Sequence, residues 1–432
     1  MNVLLLKAPD YSDQCRRLIA AASLFDPVIE QRAREIIQAV RERGDAALCE
    51  LVRRFDGATL EPDQFAVSHS ELMAASLRAD EPLRAAVAEA SANVEAFAKR
   101  SLRRSWTMRN SHGATVGEKF DPFFRVGIYI PGGMAPLVST ALMTIPLARV
   151  AGCREIVVCT PCDRNGQLNP ALLYAARRAG ATEIYRIGGA QAIAALALGT
   201  ETIRPVQKIF GPGNAYVVAA KRLLYGYAAM DLLPGPSELL VLADDTANPA
   251  FIAADLLAQA EHGSGHERVW MLTPSLRLLR AVQKELARQL PRLARRELIE
   301  RALRDNGWLI QVADLGQGVE LTNRFAPEHL EIFCRHSADL AKKITTAGAI
   351  FLGNYSPTVL GDYVAGPSHT LPAGGTGAAF AGLTVDQFQR RTSLVEYNKA
   401  SLNKALKTVQ EFAQWEGLEA HGRSAEIRVR KR

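Results

Sequence analysis

The sequence predicts an α/β protein with two incomplete Rossmann-like parallel sheets and small helical extensions at both ends. Two observations lead to this fold class. From about residue 125, apolar runs of four to six residues alternate with amphipathic segments of about three helical turns, the order that packs helices over a parallel sheet. A second stretch of the same kind follows, beginning with ELLVLAD at residue 238.

Each element of these two stretches can be assigned from its pattern. In the first, the predicted strands are RVGIYIPGG, EIVVCTP, EIYRIGG and KIFGPGN, and the predicted helices are PALLYAARRAG, AQAIAALALG and AYVVAAKRLLYG. In the second, ELLVLAD, ERVWMLT, NGWLIQVAD and AGAIFLGNY read as extended segments. NPAFIAADLLAQAEHG and a long charged segment over 275–305 read as helices.

The domain organisation follows from this alternation. Apolar residues at three- and four-residue spacing predict packing helices over 27–100, with a break at Gly44-Asp45. We expect an N-terminal extension, a discontinuous larger domain, an inserted Rossmann-like domain of the kind that can bind a dinucleotide, and a helical C-terminal tail. The N-terminal extension is predicted over 1–26 and the larger domain over 27–130 and 236–383. The inserted domain is predicted over 131–235 and the C-terminal tail over 384–432.

The composition is that of a globular protein, with 48% of the 432 residues hydrophobic and 22% charged. No apolar run is long enough to cross a bilayer. The start MNVLLLKAPD is interrupted by Lys7 and Pro9 and is not a secretory signal, so a cytoplasmic location is expected. The net charge of +7 suits an anionic ligand. No helix-turn-helix, finger or aromatic-basic array supports nucleic acid binding, and the basic tail RSAEIRVRKR is typical of a solvated end.

Cysteine usage indicates no disulfide framework, because the six cysteines are scattered along the chain. Cys159 and Cys162 form one CxxC without a second. We expect free thiols at a strand end rather than a redox pair or half of a zinc site.

Three predicted strand-to-helix turns are rich in glycine: Gly132-Gly133, Gly188-Gly189 and Gly211-Pro-Gly213. Backbone amides at such turns can hold phosphate groups. None matches the full GxGxxG fingerprint with its acidic partner, and tight turns need glycine for backbone reasons as well. A dinucleotide, if bound, occupies a non-standard Rossmann-like site.

The segment FAPEHLEIF places Glu328 and His329 side by side after Pro327. Proline and an acid in the first turn are typical of a helix start, so we expect a helix to begin here. A carboxylate beside an imidazole is also a pair suited to proton transfer.

Candidate metal ligands lie in three other segments. In QAEHG, Gln259 and His262 are three residues apart at the end of a helix and share one face. The glycine-rich segment 353–375 contains Asp362 and His369, and long loops of this kind in enzymes tend to be functional. A mixed nitrogen and oxygen set leaves room for a substrate. The third segment, EGLEAHGRS near the end of the chain, contains Glu416 and His421. The candidate metal ligands from the three segments are Gln259, His262, Asp362 and His421.

Taken together, these motifs resemble the histidinol dehydrogenase family over nearly the whole chain. They occur in the family's order: GIYIPGG, GGAQAIAALALGT, KIFGPGNAYV, GPSE, QAEHG, FAPEHLE, GNYSPTVLGDYVAGPSHTLP, RTSLVEY and EGLEAH.

The resemblance implies a set of site residues. It implies that one Zn²⁺ per subunit is bound by Gln259, His262, Asp362 and His421, and that Glu328 and His329 carry out acid-base catalysis. It implies substrate contacts from the metal ligands, His329, Ser237, His369 and Glu416. It implies NAD contacts from Tyr129, Gln191 and Asn214. The family is a homodimer with an exchanged C-terminal region, so His421 and Glu416 are expected to serve the partner's site.

The implied reaction is the four-electron oxidation of L-histidinol through L-histidinal to L-histidine, the last step of histidine biosynthesis. His329 takes the hydroxyl proton while hydride goes to NAD, Glu328 activates water to form the hydrate, and a second NAD accepts the second hydride. Zinc acts as a template that holds the substrate.

Three departures from the family pattern keep alternatives open. SGHERV with His266 follows QAEHG, GGTGAAFAGLTV follows the histidine loop, and CTPC carries an additional cysteine. A paralogue that oxidises another polar or anionic alcohol, a zinc hydrolase with Glu328 as base, and a non-catalytic metal or nucleotide binder are the other hypotheses. The physiological metal is not determined by the sequence.

Overall fold

The computed structural model describes residues 1–20, 26–132, 137–233, 235–263 and 265–429. Gly133 of the predicted Gly132-Gly133 turn and the last three residues of the basic tail lie outside the described residues. Among the described helices, none has the length and apolar character that crossing a membrane demands.

The strands are short, as the apolar runs predict. In chain order they are β1 (Asn2–Leu4), β2 (Trp106–Arg109), β3 (Thr115–Pro122), β4 (Arg125–Tyr129), β5 (Glu155–Cys159), β6 (Glu183–Tyr185), β7 (Lys208–Phe210), β8 (Ala229–Met230), β9 (Glu238–Ala243), β10 (Arg268–Thr273), β11 (Gly307–Gln311), β12 (His329–Phe333), β13 (Ala349–Leu352) and β14 (Gln389–Glu396).

The helices alternate with the strands of the parallel sheets. They are α1 (Tyr11–Ala20), α2 (Pro27–Phe55), α3 (His69–Arg78), α4 (Glu81–Ser101), α5 (Val138–Ala151), α6 (Pro170–Ala179), α7 (Gly189–Leu198), α8 (Ala215–Leu223), α9 (Pro249–Ala260), α10 (Leu276–Gln289), α11 (Arg296–Asn306), α12 (Leu315–Phe325), α13 (Ser337–Ala341), α14 (Thr358–Tyr363), α15 (Lys399–Trp415) and α16 (Glu419–Glu426). Short 3₁₀ helices span Pro62–Gln64, Leu290–Arg292, Thr376–Ala378 and Val385–Phe388.

Two parallel sheets confirm the predicted fold class. The larger has the strand order β1-β11-β10-β9-β12-β13, and the smaller has the order β6-β5-β4-β7-β8. Every strand pair in both sheets is parallel. Without the edge strand β1, and with strands numbered from β9 in the larger sheet and from β4 in the smaller, both sheets run 3-2-1-4-5. The order therefore reverses beside the first strand of each. Ligands of such folds bind at this reversal point.

The strands are buried because helices cover both faces of each sheet. Along β9, Leu239 and Val241 join one apolar cluster, whereas Leu240 and Leu242 join another on the opposite face. The smaller sheet is likewise packed on both faces. Long apolar runs such as ELLVLA are therefore the expected sequence of these central strands.

The early helices pack on the smaller sheet. Helix α2 contacts α7 and α8, and α4 contacts α5 and α6. Within α2, Gly44 has φ 50° and ψ −127°, a conformation that interrupts the helix at the predicted break. These contacts favour grouping α2 to α4 with the smaller sheet. The predicted domain boundaries otherwise stay a prediction.

Both chain extensions contain strands that the sequence analysis missed. The predicted helical N-terminal extension begins with β1, which pairs with β11 at the edge of the larger sheet. The predicted helical C-terminal tail contains β14, which pairs antiparallel with β3, and β3 pairs with β2. These strands are paired with segments distant in sequence, and local periodicity carries no information about such partners.

The expected helix start at FAPEHLEIF is wrong. Helix α12 ends at Phe325, and Ala326 follows in the left-handed region with φ 46°. Residues 329–333 then form the buried strand β12 between β9 and β13. Proline and an acid after a turn suit a helix start locally, but two flanking strands provide backbone partners that local signals cannot reveal.

The long helix expected over 275–305 is also wrong, because it is two helices. Helix α10 ends at Gln289, a 3₁₀ turn spans Leu290–Arg292, and α11 begins at Arg296. Pro291 lacks the amide hydrogen that a continuing helix requires. The charged pattern on either side is helical, as predicted.

Candidate active site

Glu328 and His329 lie at the amino-terminal end of β12, beside the start of β9. The backbone N–H of Glu238 donates to Oε2 of Glu328 at 2.8 Å, and Nδ1 of His329 lies 2.9 Å from the carbonyl oxygen of Glu238. A carbonyl oxygen only accepts, so the hydrogen is on Nδ1 and the neutral ring has its lone pair on Nε2. Nε2 is therefore the atom that can accept a proton from a ligand.

Two carboxylates determine the proton affinity of this imidazole. Burial alone lowers the pKa of His329, which is 5% exposed. The Glu328 carboxylate, whose Oε2 lies 3.5 Å from Nδ1, and the Asp362 carboxylate outweigh burial and raise the pKa to about 9. Burial has the opposite effect on the Glu238 carboxyl. It raises the pKa of this group to about 7, although Arg268 lies 3.0 Å from its Oε1. The site is thus built around a strong proton acceptor.

Asp362 and His369 belong to the same cluster. Nδ1 of His369 lies 3.7 Å from Oδ1 of Asp362, and its Nε2 lies 3.3 Å from the Thr140 hydroxyl at the start of α5. Burial lowers the pKa of His369, and the Asp362 carboxylate opposes that effect. The Glu328 carboxylate also raises the pKa of His369, whereas charge on His329 or His262 lowers it. The cluster therefore lies where the loop 353–375 meets α5 of the smaller sheet.

Glu331 connects β12 to the helix that carries Asp362. Its Oε1 accepts a hydrogen bond of 2.9 Å from the backbone N–H of Thr358, the first residue of α14. Burial raises the pKa of Glu331 well above its ordinary value, and the Asp255 carboxyl acts in the same direction. Asp255 lies one helical turn before Gln259 on α9. These two carboxyls therefore lie between the elements that carry His329, Asp362 and Gln259.

Gln259 and His262 lie at the carboxyl end of α9. Nδ1 of His262 lies 3.1 Å from the carbonyl oxygen of Gln259, which leaves Nε2 of that ring free for another partner. The Gln259 side chain is 2% exposed, yet its Nε2 has no hydrogen-bond partner among the described residues. A buried N–H group without an acceptor is costly. A cation binds the other atom of the amide, Oε1, and a half-turn of the terminal amide would exchange Oε1 and Nε2 at this position.

The predicted metal ligands are compatible with a divalent cation. Within the described part of the chain, no three His, Cys, Asp or Glu side chains group closely enough to hold a metal. The predicted set has three such residues, His262, Asp362 and His421. The first two are the ones expected to serve the site of their own chain, where Gln259 adds a neutral donor. Nitrogen and oxygen donors of this kind suit Zn²⁺ with an open position. The Gln259 amide, turned so that Oε1 takes the place of the partnerless Nε2, would add an oxygen donor to this set.

His421 and Glu416 lie away from this cluster in the chain itself. Helices α15 and α16 pack chiefly against each other. Glu416 directly follows α15, His421 lies in α16, and both side chains are exposed. Their service to a partner's site stays a prediction. Ser237 does lie beside the cluster, immediately before Glu238 at the start of β9, and its carbonyl accepts from the backbone N–H of Arg268.

The three residues expected to bind NAD line one large cleft. Tyr129, Gln191 and Asn214 lie along a cleft of about 1340 Å³ at the carboxyl edge of the smaller sheet, with α2 forming the opposite wall. Tyr129 ends β4, and its hydroxyl accepts from the backbone N–H of Gly189 at 3.1 Å. Burial raises the pKa of Tyr129 to about 12. Oδ1 of Asn214 caps α8 by accepting from the backbone of Tyr216 and Val217.

The turn after β7 is held by a buried ion pair. Lys221 and Asp231 are 2.7 Å apart and fully buried. Lys221 donates to the carbonyl oxygen of Gly211, and the Asp231 carboxylate accepts from the backbone N–H of Gly211 at 2.8 Å. Gly211 has φ 109°, and a Cβ there would lie 2.1 Å from the Tyr129 carbonyl oxygen. Glycine is thus required where β4 and β7 meet at the reversal point of this sheet.

Sequence reasoning missed several of these supporting residues. Glu238 was part of the GPSE motif but received no role, although an acid that begins a wholly buried strand is itself a signal. Thr140 and the Lys221–Asp231 pair leave no comparable trace, because their importance comes from contacts distant in sequence. All six cysteines are free, as predicted for Cys159 and Cys162, and the pKa of Cys162 is raised by burial to about 11.

Known proteins match the chain over nearly its full length. A family model described as histidinol dehydrogenase matches residues 22–429. Curated histidinol dehydrogenases of Heliobacterium mobile and Geobacillus kaustophilus are 44% and 45% identical, over 95% and 92% of this chain and 96% and 93% of their own. A crystal structure of histidinol dehydrogenase from Elizabethkingia anophelis has a TM-score of 0.94 at 35% identity, covering 99% of this chain and 98% of its own. The chain therefore belongs to the histidinol dehydrogenase family of NAD-dependent oxidoreductases.

Proposed function

We propose that this protein oxidises L-histidinol through L-histidinal to L-histidine with two NAD, using one Zn²⁺ per subunit, as the last step of histidine biosynthesis. The observation that carries the proposal is the orientation of His329. Its Nδ1 donates to the Glu238 carbonyl oxygen, which leaves Nε2 as the basic atom of a ring that interacts electrostatically with Glu328, Asp362 and His369. Family membership supplies the reaction class for this arrangement.

His329 and Glu328 divide the proton transfers between them. Nε2 of His329 takes the proton of the substrate hydroxyl as the carbinol carbon loses hydride, giving the aldehyde. Glu328 takes a proton from water as the water oxygen bonds to the aldehyde carbon, and protonated His329 returns its proton to the former carbonyl oxygen, giving the hydrate. His329, now neutral again, takes a hydrate proton as the second hydride leaves, giving the carboxylic acid, which releases its last proton to solvent and becomes the carboxylate. When bound, NAD accepts the hydride in each of the two oxidations.

The zinc site would use Gln259, His262 and Asp362 together with His421 of the partner subunit. Two observations support this assignment: the lone pair on Nε2 of His262, and the Gln259 amide, which has no partner for its Nε2 among the described residues and can turn to present Oε1. When bound, Zn²⁺ supplies a positive centre that orients the amino group and imidazole of the substrate. Ser237, His369 and Glu416 would complete the substrate contacts, with the Thr140 hydroxyl holding the His369 ring.

The cofactor would occupy the cleft that Tyr129, Gln191 and Asn214 line. Its position at the carboxyl edge and at the reversal point of the smaller sheet supports this assignment, because open α/β sheets bind nucleotides there. The proton-transfer cluster lies at the junction of the two sheets, so a nicotinamide at one end of the cleft would face it. Hydride transfer requires such an approach.

A homodimer is part of the proposal. Helices α15 and α16 form an arm with exposed Phe412, Trp415 and Ile427, and apolar side chains of this size favour contact with another surface. An exchanged arm would bring His421 and Glu416 to the partner's cluster. The cytoplasmic location stays a prediction.

The test is the stoichiometry of the reaction. Purified protein is incubated with L-histidinol and NAD, with and without a chelator, and NADH and histidine are both measured. Two NADH per histidine and loss of activity on chelation are expected. One NADH per product, or turnover of another alcohol in its place, would indicate a paralogue. Turnover of an ester or amide without NAD would indicate a hydrolase, and no NADH at all would overturn the proposal.

A further inference from the structure

An acidic side chain with one buried oxygen to which no described residue donates a hydrogen bond lies in the wall of the cofactor cleft. Asp56 follows α2 directly, and its backbone N–H bonds to the Val52 carbonyl oxygen, closing the helix. Its side chain lines the cleft together with Tyr129 and Cys162. Oδ2 is buried but has no hydrogen-bond partner among the described residues.

The surroundings of Asp56 do not neutralise its charge. Burial raises the pKa of this carboxyl to about 6, with no cation opposing the effect. The carboxylate is close enough to raise the pKa values of Tyr129 and Cys162. A carboxylate held this way costs stability in the empty protein, so its retention suggests a ligand that donates hydrogen bonds.

Other acids that line the cleft already have partners. Glu50 lies 2.7 Å from Arg43, and Glu35 accepts from Gln31 at 3.1 Å. Asp163, which follows β5, accepts from the backbone N–H groups of Asn165 and Gln167 at 2.8 Å each. Asp56 thus differs from them in having a buried oxygen without a partner.

We propose that Asp56 accepts hydrogen bonds from the hydroxyls of the adenosine ribose of the bound dinucleotide and disfavours a 2′-phosphate at that position. The assignment rests on the proposed function. Rossmann sites that bind NAD place an acid on this ribose, commonly about twenty residues beyond the glycine turn. In this protein the acid that follows β5 is Asp163, whose carboxylate already accepts hydrogen bonds from the backbone of its own turn. The acid beside the ribose is therefore Asp56, at the end of α2.

The choice of ribose follows from the layout of the cleft. None of the described residues of the proton-transfer cluster lines the cleft in which Asp56 lies. The nicotinamide must approach His329, so the ribose beside Asp56 is the more distant, adenosine one. A 2′-phosphate there would place two negative groups together, which costs binding free energy.

Calorimetric titration of zinc-loaded protein with NAD and with NADP tests this. Asp56→Asn is expected to raise the Kd for NAD roughly tenfold or more, the scale of a lost hydrogen bond to a charged group. The variant is also expected to show a smaller ratio between its Kd for NADP and its Kd for NAD than the wild type does. In turnover, KM for NAD should rise more than kcat falls. Glu50→Gln, at an acid of the same cleft that is paired with Arg43, is the matched control and should bind NAD as the wild type does.

Thermal unfolding without nucleotide separates binding from structure. If Asp56 serves a ligand, Asp56→Asn should match or exceed the wild-type Tm at pH 8, because a buried charge is removed. A lower Tm would assign Asp56 a structural role and overturn the inference. Unchanged NAD affinity in Asp56→Asn, or a loss that follows Asp163→Asn instead, would overturn it while leaving the proposed function intact. Wild-type protein that binds neither nucleotide would overturn both.

Discussion

The carbonyl oxygen of Glu238 lies 2.9 Å from Nδ1 of His329, so the first residue of β9 sets the tautomer of the first residue of β12. The two strands are parallel neighbours, and both begin at the same edge of the larger sheet. The amino-terminal edge of this sheet therefore carries the proton-transfer pair. The cleft of the smaller sheet lies at its carboxyl edge.

Replacing either His329 or Glu328 should slow the proton-transfer steps of the reaction. His329→Asn and Glu328→Gln are expected to lower kcat by about 10²–10⁴-fold, the usual contribution of a general acid or base. Steady-state NADH formation measures this, and calorimetry should show NAD affinity unchanged. Glu328→Gln should also slow the oxidation of added L-histidinal. His336→Asn, at an exposed histidine after β12, is the control; an equal loss there would contradict the assignment.

The pKa of His329 should depend on Glu328. In metal-free protein, NMR titration of the ring is expected to give a pKa of about 9. Glu328→Gln removes the carboxylate charge and leaves burial, so the pKa should fall. Because the folded pKa exceeds the unfolded value of about 6.5, the ring stabilises the fold below pH 6.5, and this stabilisation is lost as pH rises through about 9. An unshifted pKa in the variant would refute the coupling.

Gln259→Met should separate metal binding from folding. The unsatisfied Gln259 amide costs about 1–3 kcal/mol in the empty protein, so the variant should unfold at the wild-type temperature or above it. Zinc should raise the Tm of the wild type and not that of the variant. His69→Asn, at the exposed start of α3, serves as the control. Equal stabilisation of the variant by zinc would remove Gln259 from the ligand set.

The buried pair Lys221–Asp231 should be essential for the turn at Gly211. Asp231→Asn leaves the ammonium group without its partner, and breaking a buried pair costs about 3–5 kcal/mol. Urea unfolding of Asp231→Asn, Lys221→Met and the double variant measures the coupling. The double variant is expected to be more stable than the sum of single losses predicts. Additive losses would show that the two side chains do not act as a pair.

Mixed subunits test the exchanged arm. If His421 serves the partner's site, equal amounts of inactive Gln259→Met and His421→Asn chains should regain about a quarter of wild-type activity. Random pairing makes about half of the dimers hybrids, each with one intact site. Refolding the two chains together and assaying NADH formation measures this. Persistent inactivity of a proven hybrid would place His421 in its own chain's site.

Some elements were predictable because their signals are local. The strands β4, β5, β7, β9 and β10 are apolar runs bounded by turns, and α6, α7, α8 and α9 carry helical periodicity between capping residues. The break at Gly44 and the helix end at Gly180 follow from the conformations that glycine permits. The sequence also marked Glu328, His329, Gln259, His262, Asp362 and His369 as candidates by residue type and order.

Other elements depended on partners elsewhere in the chain. Strand β12 resembles a helix start until β9 and β13 flank it, and β14 resembles a helix until β3 pairs with it. The sequence by itself determined the α/β alternation and the chemical groups, since periodicity and residue type are local properties. Only the tertiary structure decided that Glu238 orients His329, that Gln259 is unsatisfied and that Asp56 lies in the cofactor cleft, because burial and contacts between distant residues exist only in the folded chain.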